Sequence, residues 1–173
     1  MQTYAFSPAR KLTALLLVAA ASACFSAPAA ELVLQDDQFL AAFNTDSGAL
    51  TRLESKATHW RIEQRPELAA SFRLLVPLPD QRDNFVLGSK QRAAEVRKLS
   101  EHQIRIRWQD LASEHGGVLP ITLTATVTLT NGALVFGATL QNDSSLSVET
   151  VDYPCLGDLS PPSPNTSMQA RTL

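Results

Sequence analysis

From Ile121 to Thr130 every odd position is apolar and every even position is threonine. A period of two gives a β-strand one face for a core and one for solvent. Threonine is β-branched and fits an exposed pleat. Asn131-Gly132 follows at once, the residue pair of a type I′ turn. The return run, Ala133 to Asn142, sets Leu134, Phe136, Ala138 and Leu140 on one face. Residues 119–142 are therefore expected to form a long β-hairpin.

The same alternation predicts further strands. Phe39–Asn44 and Ala49–Leu53 flank Thr45-Asp46-Ser47-Gly48, whose residues tolerate left-handed backbone or bond their own main chain. Trp60–Gln64 follows a loop over 55–59. Ser71–Val76 is ended by Pro77 and Pro79, which remove ladder donors. Residues 80–91 read as loop. Ala93–Leu99 fits a strand or a short helix, and its strand neighbours favour a strand. In Gln103–Trp108 the residues Ile104, Ile106 and Trp108 share one face and Arg105 and Arg107 the other. Ser113–Gly117 reads as a turn. Leu146–Tyr153 is a last strand whose alternation breaks between Val148 and Val151, as at a bulge. About nine or ten short strands with regular turn signals predict an all-β fold, an antiparallel sandwich over 30–158.

Residues 1–29 depart from this pattern. Arg10 and Lys11 precede the apolar run Leu12–Ala21, and Ala27-Pro28-Ala29 puts small residues where a signal peptidase reads. The run is roughly half of the ~20 residues that span a bilayer, so it predicts a helical export signal and a periplasmic or secreted location. Ala21-Ser22-Ala23-Cys24 also resembles a lipobox, with an unusual Ala at its first position. Lipidation at Cys24 would anchor the chain in the envelope, and this is the one route to a membrane partner. Cleavage near Ala29 leaves Cys155 as the only cysteine, so packing alone must hold the sandwich. Residues 159–173 are rich in proline and read as a disordered tail. The leader holds two of the fifteen basic groups and none of the seventeen acids. No block of like charge stands out in the remainder, which argues against nucleic acid as a partner.

Candidate chemistry is sparse. His59, His102 and His115 are scattered, and none has a second histidine at ligand spacing, so no metal or other cofactor is expected. Asp36-Asp37 and Asp80 with Asp83 lack the alternating oxygen ligands of a calcium loop. Glycoside hydrolysis needs two carboxylates across a sugar ring. Glu95, Glu101, Asp110, Glu114, Glu149 and Asp152 are available, but none stands out by context. Cys155, between Pro154 and Leu156, reads as a small apolar residue rather than a nucleophile. Trp60 and Trp108 are the side chains best able to stack on a sugar. Trp108 shares a face with two isoleucines and reads as core, while Trp60 is open to either role. Arg105 and Arg107 read as a solvated sheet face that could also bond a ligand. No catalytic residue is assigned.

Two stretches carry a family resemblance. Phe43-Asn44-Thr45-Asp46-Ser47-Gly48-Ala49-Leu50-Thr51-Arg52-Leu53 with Lys56-Ala57-Thr58-His59-Trp60 is one; Leu140-Gln141-Asn142-Asp143-Ser144 with Val148-Glu149-Thr150-Val151-Asp152-Tyr153-Pro154-Cys155-Leu156 is the other. They resemble the N-terminal galactose-mutarotase-like supersandwich of bacterial glycoside hydrolases. In those enzymes this sandwich is usually non-catalytic, and the acids sit on a following barrel or helical toroid. The resemblance thus implies a non-catalytic module of a secreted carbohydrate-active enzyme, a fragment whose partners are a carbohydrate or a downstream catalytic domain. A freestanding envelope module that binds a glycan or a protein is the alternative. A mutarotase-like epimerase is a third reading, for which the chain is short.

Overall fold

The computed structural model describes residues 30–63 and 70–156. The expected export signal, Cys24, Gln64 and the proline-rich tail lie outside these residues. The strands in chain order are β1 (Glu31–Gln35), β2 (Phe39–Asn44), β3 (Leu50–Ser55), β4 (Arg61–Glu63), β5 (Ser71–Leu75), β6 (Phe85–Leu87), β7 (Glu95–Ser100), β8 (Gln103–Trp108), β9 (Leu111–Ser113), β10 (Gly117–Leu119), β11 (Ile121–Thr130), β12 (Ala133–Asn142) and β13 (Thr150–Cys155). They form sheets ordered β1-β2-β3-β4, β12-β11-β8-β7, β13-β5-β6 and β10-β9. Every pairing between them is antiparallel. The expected all-β sandwich is what forms.

The long hairpin matches its sequence pattern. Asn131 and Gly132 take φ of 48° and 68°, as a type I′ turn requires. The register runs unbroken from Thr130↔Ala133 to Ile121↔Asn142. All five apolar side chains of β11, Ile121, Leu123, Ala125, Val127 and Leu129, are buried. β2 and β8 have the predicted bounds, and the ambiguous 93–99 segment is strand from Glu95 onward, as β7.

Three expectations need correction. Residues 80–91 are not all loop. β6 lies within them, followed by a 3-10 turn over Gly88–Lys90. The turn over 113–117 is flanked by β9 and β10, which the pattern missed. Three-residue strands are too short to show a period, and tertiary bonds hold them. The buried Asn84 amide donates to the Val76 carbonyl at 2.8 Å and accepts from the His115 N–H at 2.9 Å. The Gln91 side chain donates to the Leu87 and Ala112 carbonyls at 3.0 and 2.9 Å and accepts from the Ala112 N–H at 3.0 Å. The five-residue β1 was not expected either, so thirteen strands stand among the described residues, against nine or ten expected. Lastly, the final strand starts at Thr150, and its irregularity falls between Asp152 and Cys155, not between Val148 and Val151. Pro154 supplies the reason, since it has no N–H for the ladder; the Tyr153–Pro154 peptide is cis. Leu146 and Val148 still pack against the core, from a loop.

One core joins the sheets. Leu34, Phe43 and Ile62 meet Phe72, Leu74 and Val86 and the inward row of β8 and β11. Trp108 is fully buried, 4.9 Å from the Phe72 ring centroid, and its indole N–H donates to the Ser47 carbonyl at 2.8 Å. The next residue, Gly48, has φ of +73°. A Cβ there would come within 2.5 Å of Ile106 and 2.7 Å of Trp108. Glycine is thus required twice, by the backbone and by the close approach of the first hairpin's turn to β8.

Candidate functional site

Five of the six candidate acids are engaged in ion pairs. Glu149 lies 3.0 Å from Arg82, Asp152 2.8 Å from Arg73, Glu114 3.3 Å from Lys90 and Glu101 3.6 Å from Lys98. Glu95 pairs with Arg97 and sits 3.6 Å from Arg105. Asp110 is exposed beyond the end of β8. Each of the five paired acids thus faces a cation rather than a second carboxylate. His59, His102 and His115 are all exposed. Among the described residues no three His, Cys, Asp or Glu side chains gather as metal ligands do. Asp36 caps a turn, accepting from the Gln38 and Phe39 N–H groups at 2.8 and 2.7 Å. The Phe39 bond leads in holding its carboxyl below the usual range, partly opposed by burial and helped by Gln38 and Lys56.

Arg105 and Arg107 lie on the outer sheet face as expected, opposite Thr126 and Thr124. Arg107 bonds Gln109. Cys155 is half-buried, its Sγ 3.6 Å from the Asp152 carbonyl. Burial and then the Asp152 charge push its thiol up, which disfavours the reactive thiolate. Beside it Phe43, Ser71, Phe136 and Tyr153 line a crevice of about 10 Å³. That volume holds one water at most. Arg73, over the Phe85 ring at 5.5 Å and bonded to Asp152, satisfies itself within a second hollow.

Phe39, Ser55, Thr58 and Trp60 line a shallow apolar recess of about 510 Å³. Strand register builds it. Phe39 of β2 lies opposite Ser55 of β3. The Ser55 N–H donates to the Trp60 carbonyl at 2.8 Å, which carries the β3–β4 pairing one residue past Glu54↔Arg61. Phe39, Ser55 and Trp60 thus make a row across three strands, at the margin where the core side of the first sheet meets solvent. Two turns are tied together beneath the row. The Lys56 N–H donates to the Gln38 carbonyl at 2.8 Å, and its ammonium donates to the Asp36 carbonyl at 2.6 Å. Trp60 is half-buried, packed against the core, and its indole N–H is buried without an acceptor. Its ring surface, not its N–H, is what a ligand would meet.

Of the two tryptophans singled out by sequence, the fold buries Trp108 and leaves Trp60 at this margin. Phe39, Ser55 and Thr58 were not singled out. Their only sequence signal is that Phe39 opens a strand and that two hydroxyls precede Trp60 in one loop. No family model matches the chain, and no curated protein matches it.

Proposed function

We propose that this chain is a non-catalytic β-sandwich module of a secreted, glycoside-hydrolase-like protein, and that the Phe39–Trp60 recess is where it meets a glycan. The observation that carries the reading is the aromatic row with its two hydroxyls. A sugar ring presents an apolar C–H face rimmed by hydroxyl groups. Phe39 and Trp60 offer apolar ring surface to that face; Ser55 offers a donor and two acceptor positions to its rim, and Thr58, whose Oγ1 accepts from the Trp60 N–H at 3.4 Å, offers a donor and one acceptor position. No charge or metal is needed, which suits neutral sugars. The pairing of five candidate acids with cations supports a binding role over a hydrolytic one, because bond cleavage needs carboxylates free to act from both sides of the sugar.

The test is glycan-array binding by the purified chain, followed by calorimetry on any hit. Trp60→Ala is expected to weaken binding at least about tenfold, the loss that goes with removing one aromatic contact of ~1.4 kcal/mol. Arg107→Ala, on the far sheet face, is expected to leave binding unchanged. Absence of binding to every glycan sinks the reading, as does hydrolysis or mutarotation by the same material.

A further inference from the structure

One edge of the long sheet is unlike the rest of the surface. Among the described residues β12 pairs with β11 and with no other strand. It is ten residues long, Ala-Leu-Val-Phe-Gly-Ala-Thr-Leu-Gln-Asn, without a charge, a proline or a register break. An edge of that kind exposes a row of unpaired backbone groups and normally carries a device against pairing. Which groups point outward follows from two bonds. The Leu129 N–H donates to His102 on the β8 side at 2.8 Å, and the Asp143 N–H donates to Pro120 at 3.0 Å. Odd-numbered residues of β12 therefore bond β11. The N–H and C=O groups of Leu134, Phe136, Ala138 and Leu140 face away from it.

Gly137 is the second observation. It sits mid-strand with an ordinary φ, and a Cβ there would find only the Thr126 carbonyl, at 4.0 Å. Glycine weakens a strand interior and often marks close approach by another backbone. Apart from that carbonyl, no described atom lies within 4 Å of where the Cβ would be.

We infer that β12 is the contact through which two copies of this chain pair edge to edge, antiparallel about Gly137. The sequence is self-complementary in that register. Leu134 falls opposite Leu140 and Phe136 opposite Ala138 on the inner face, and Val135 opposite Thr139 on the outer. The outward-pointing groups of Phe136 and Ala138 bond each other across the axis. Gly137 meets its own copy as a non-hydrogen-bonded pair, the closest class, with Cα atoms about 4.5 Å apart. Centring one residue later would set Leu134 against Asn142 and Val135 against Gln141, mixing apolar with polar. The first charge beyond the strand, Asp143, falls opposite the neutral Asn131, so no like charges meet. Leu134, Phe136 and Leu140 are only half-buried and Val135 is 53% exposed, so pairing would cover apolar surface that one copy leaves open.

Sedimentation of the full chain tests this, with two variants. Gly137→Asp sets two carboxylates on the axis and has open space in a single copy. It is expected to raise the dimer dissociation constant at least about tenfold while leaving the unfolding midpoint unchanged when both chains are measured at concentrations where they are monomeric. Gly137→Cys, with Cys24 and Cys155 replaced by alanine, is expected to form a disulfide-linked dimer with oxidised glutathione, because non-hydrogen-bonded pairs bring Cβ atoms within bridging range. A Val118→Cys control in the same background is expected to stay monomeric. A wild-type chain that is monomeric at millimolar concentration overturns the inference, as does a dimer indifferent to Gly137→Asp that does not cross-link at 137. Protection of β12 by residues 157–173 of the same chain in a monomer also overturns it. None of these outcomes touches glycan binding.

Discussion

The β12-β11-β8-β7 sheet is closed on one side by β7, which carries Glu95, Arg97 and Lys98 and slips register between Lys98 and Ser100. On the other side it is closed by ten uncharged residues in unbroken register. Both edges enclose the same interior, the buried row of β8 and β11. Charge and a register slip are two of the devices by which natural sheets discourage further strands, and β7 has both where β12 has neither. The difference does not come from demands of the core, which asks the same of both. It lies in what each edge presents to other molecules.

The interior can be broken first. Trp108→Ala is expected to cost about 3–5 kcal/mol, the range for removing a fully buried aromatic side chain. It also strands the Ser47 carbonyl that now accepts from the indole N–H. Denaturant unfolding reads the loss, and a single transition is expected, because both edges hang on one core. Two separated transitions would mean that the edges belong to independent units, and the comparison would fail.

A smaller effect belongs to β12 alone. Tyr153 lies 6.1 Å from Phe136, ring edge to face, under that edge. Burial pushes its phenol well above the ordinary value of 10.0. The unfolded chain thus loses this proton near pH 10 while the folded chain keeps it. The associated stability is complete below about pH 10 and declines as the pH rises through and beyond it. The Cys155 thiol, also raised, acts in the same direction from its ordinary value of 9.0. Hydrogen exchange above pH 10 is expected to quicken in β12 before β7, and Tyr153→Phe to flatten the part of the decline due to the phenol. Equal quickening at both edges would contradict the arrangement.

The smallest stability effect is the sharpest test of the edge comparison. Arg97→Thr with Lys98→Val makes β7 resemble β12. The midpoint is expected to move within about 0.5 kcal/mol, the usual range of surface substitutions. Self-association seen by light scattering is expected to rise. A variant no more associated than the wild type would show that the charges of β7 are not what keeps that edge clear.

Most of the strands long enough to show a period of two, their inward faces and the tight turns between them were legible in the sequence. Ile121–Asn142 needed only threonine, apolar residues and Asn131-Gly132 to declare itself, because periodicity and turn chemistry act between near neighbours. Tertiary structure decided the rest. β6, β9 and β10 stand because the Asn84 and Gln91 side chains bond backbone groups from distant segments. Gly48 is needed because Trp108, sixty residues on, lies against it. The Phe39–Trp60 row arises only when three strands align at the margin of the core. β12, too, reads in sequence as one more half-buried strand; that its second side has no partner among the described residues is a fact of strand order. Side-chain alternation records which face turns inward, but not which strand lies at the edge, because it is identical whether a strand has one neighbour or two.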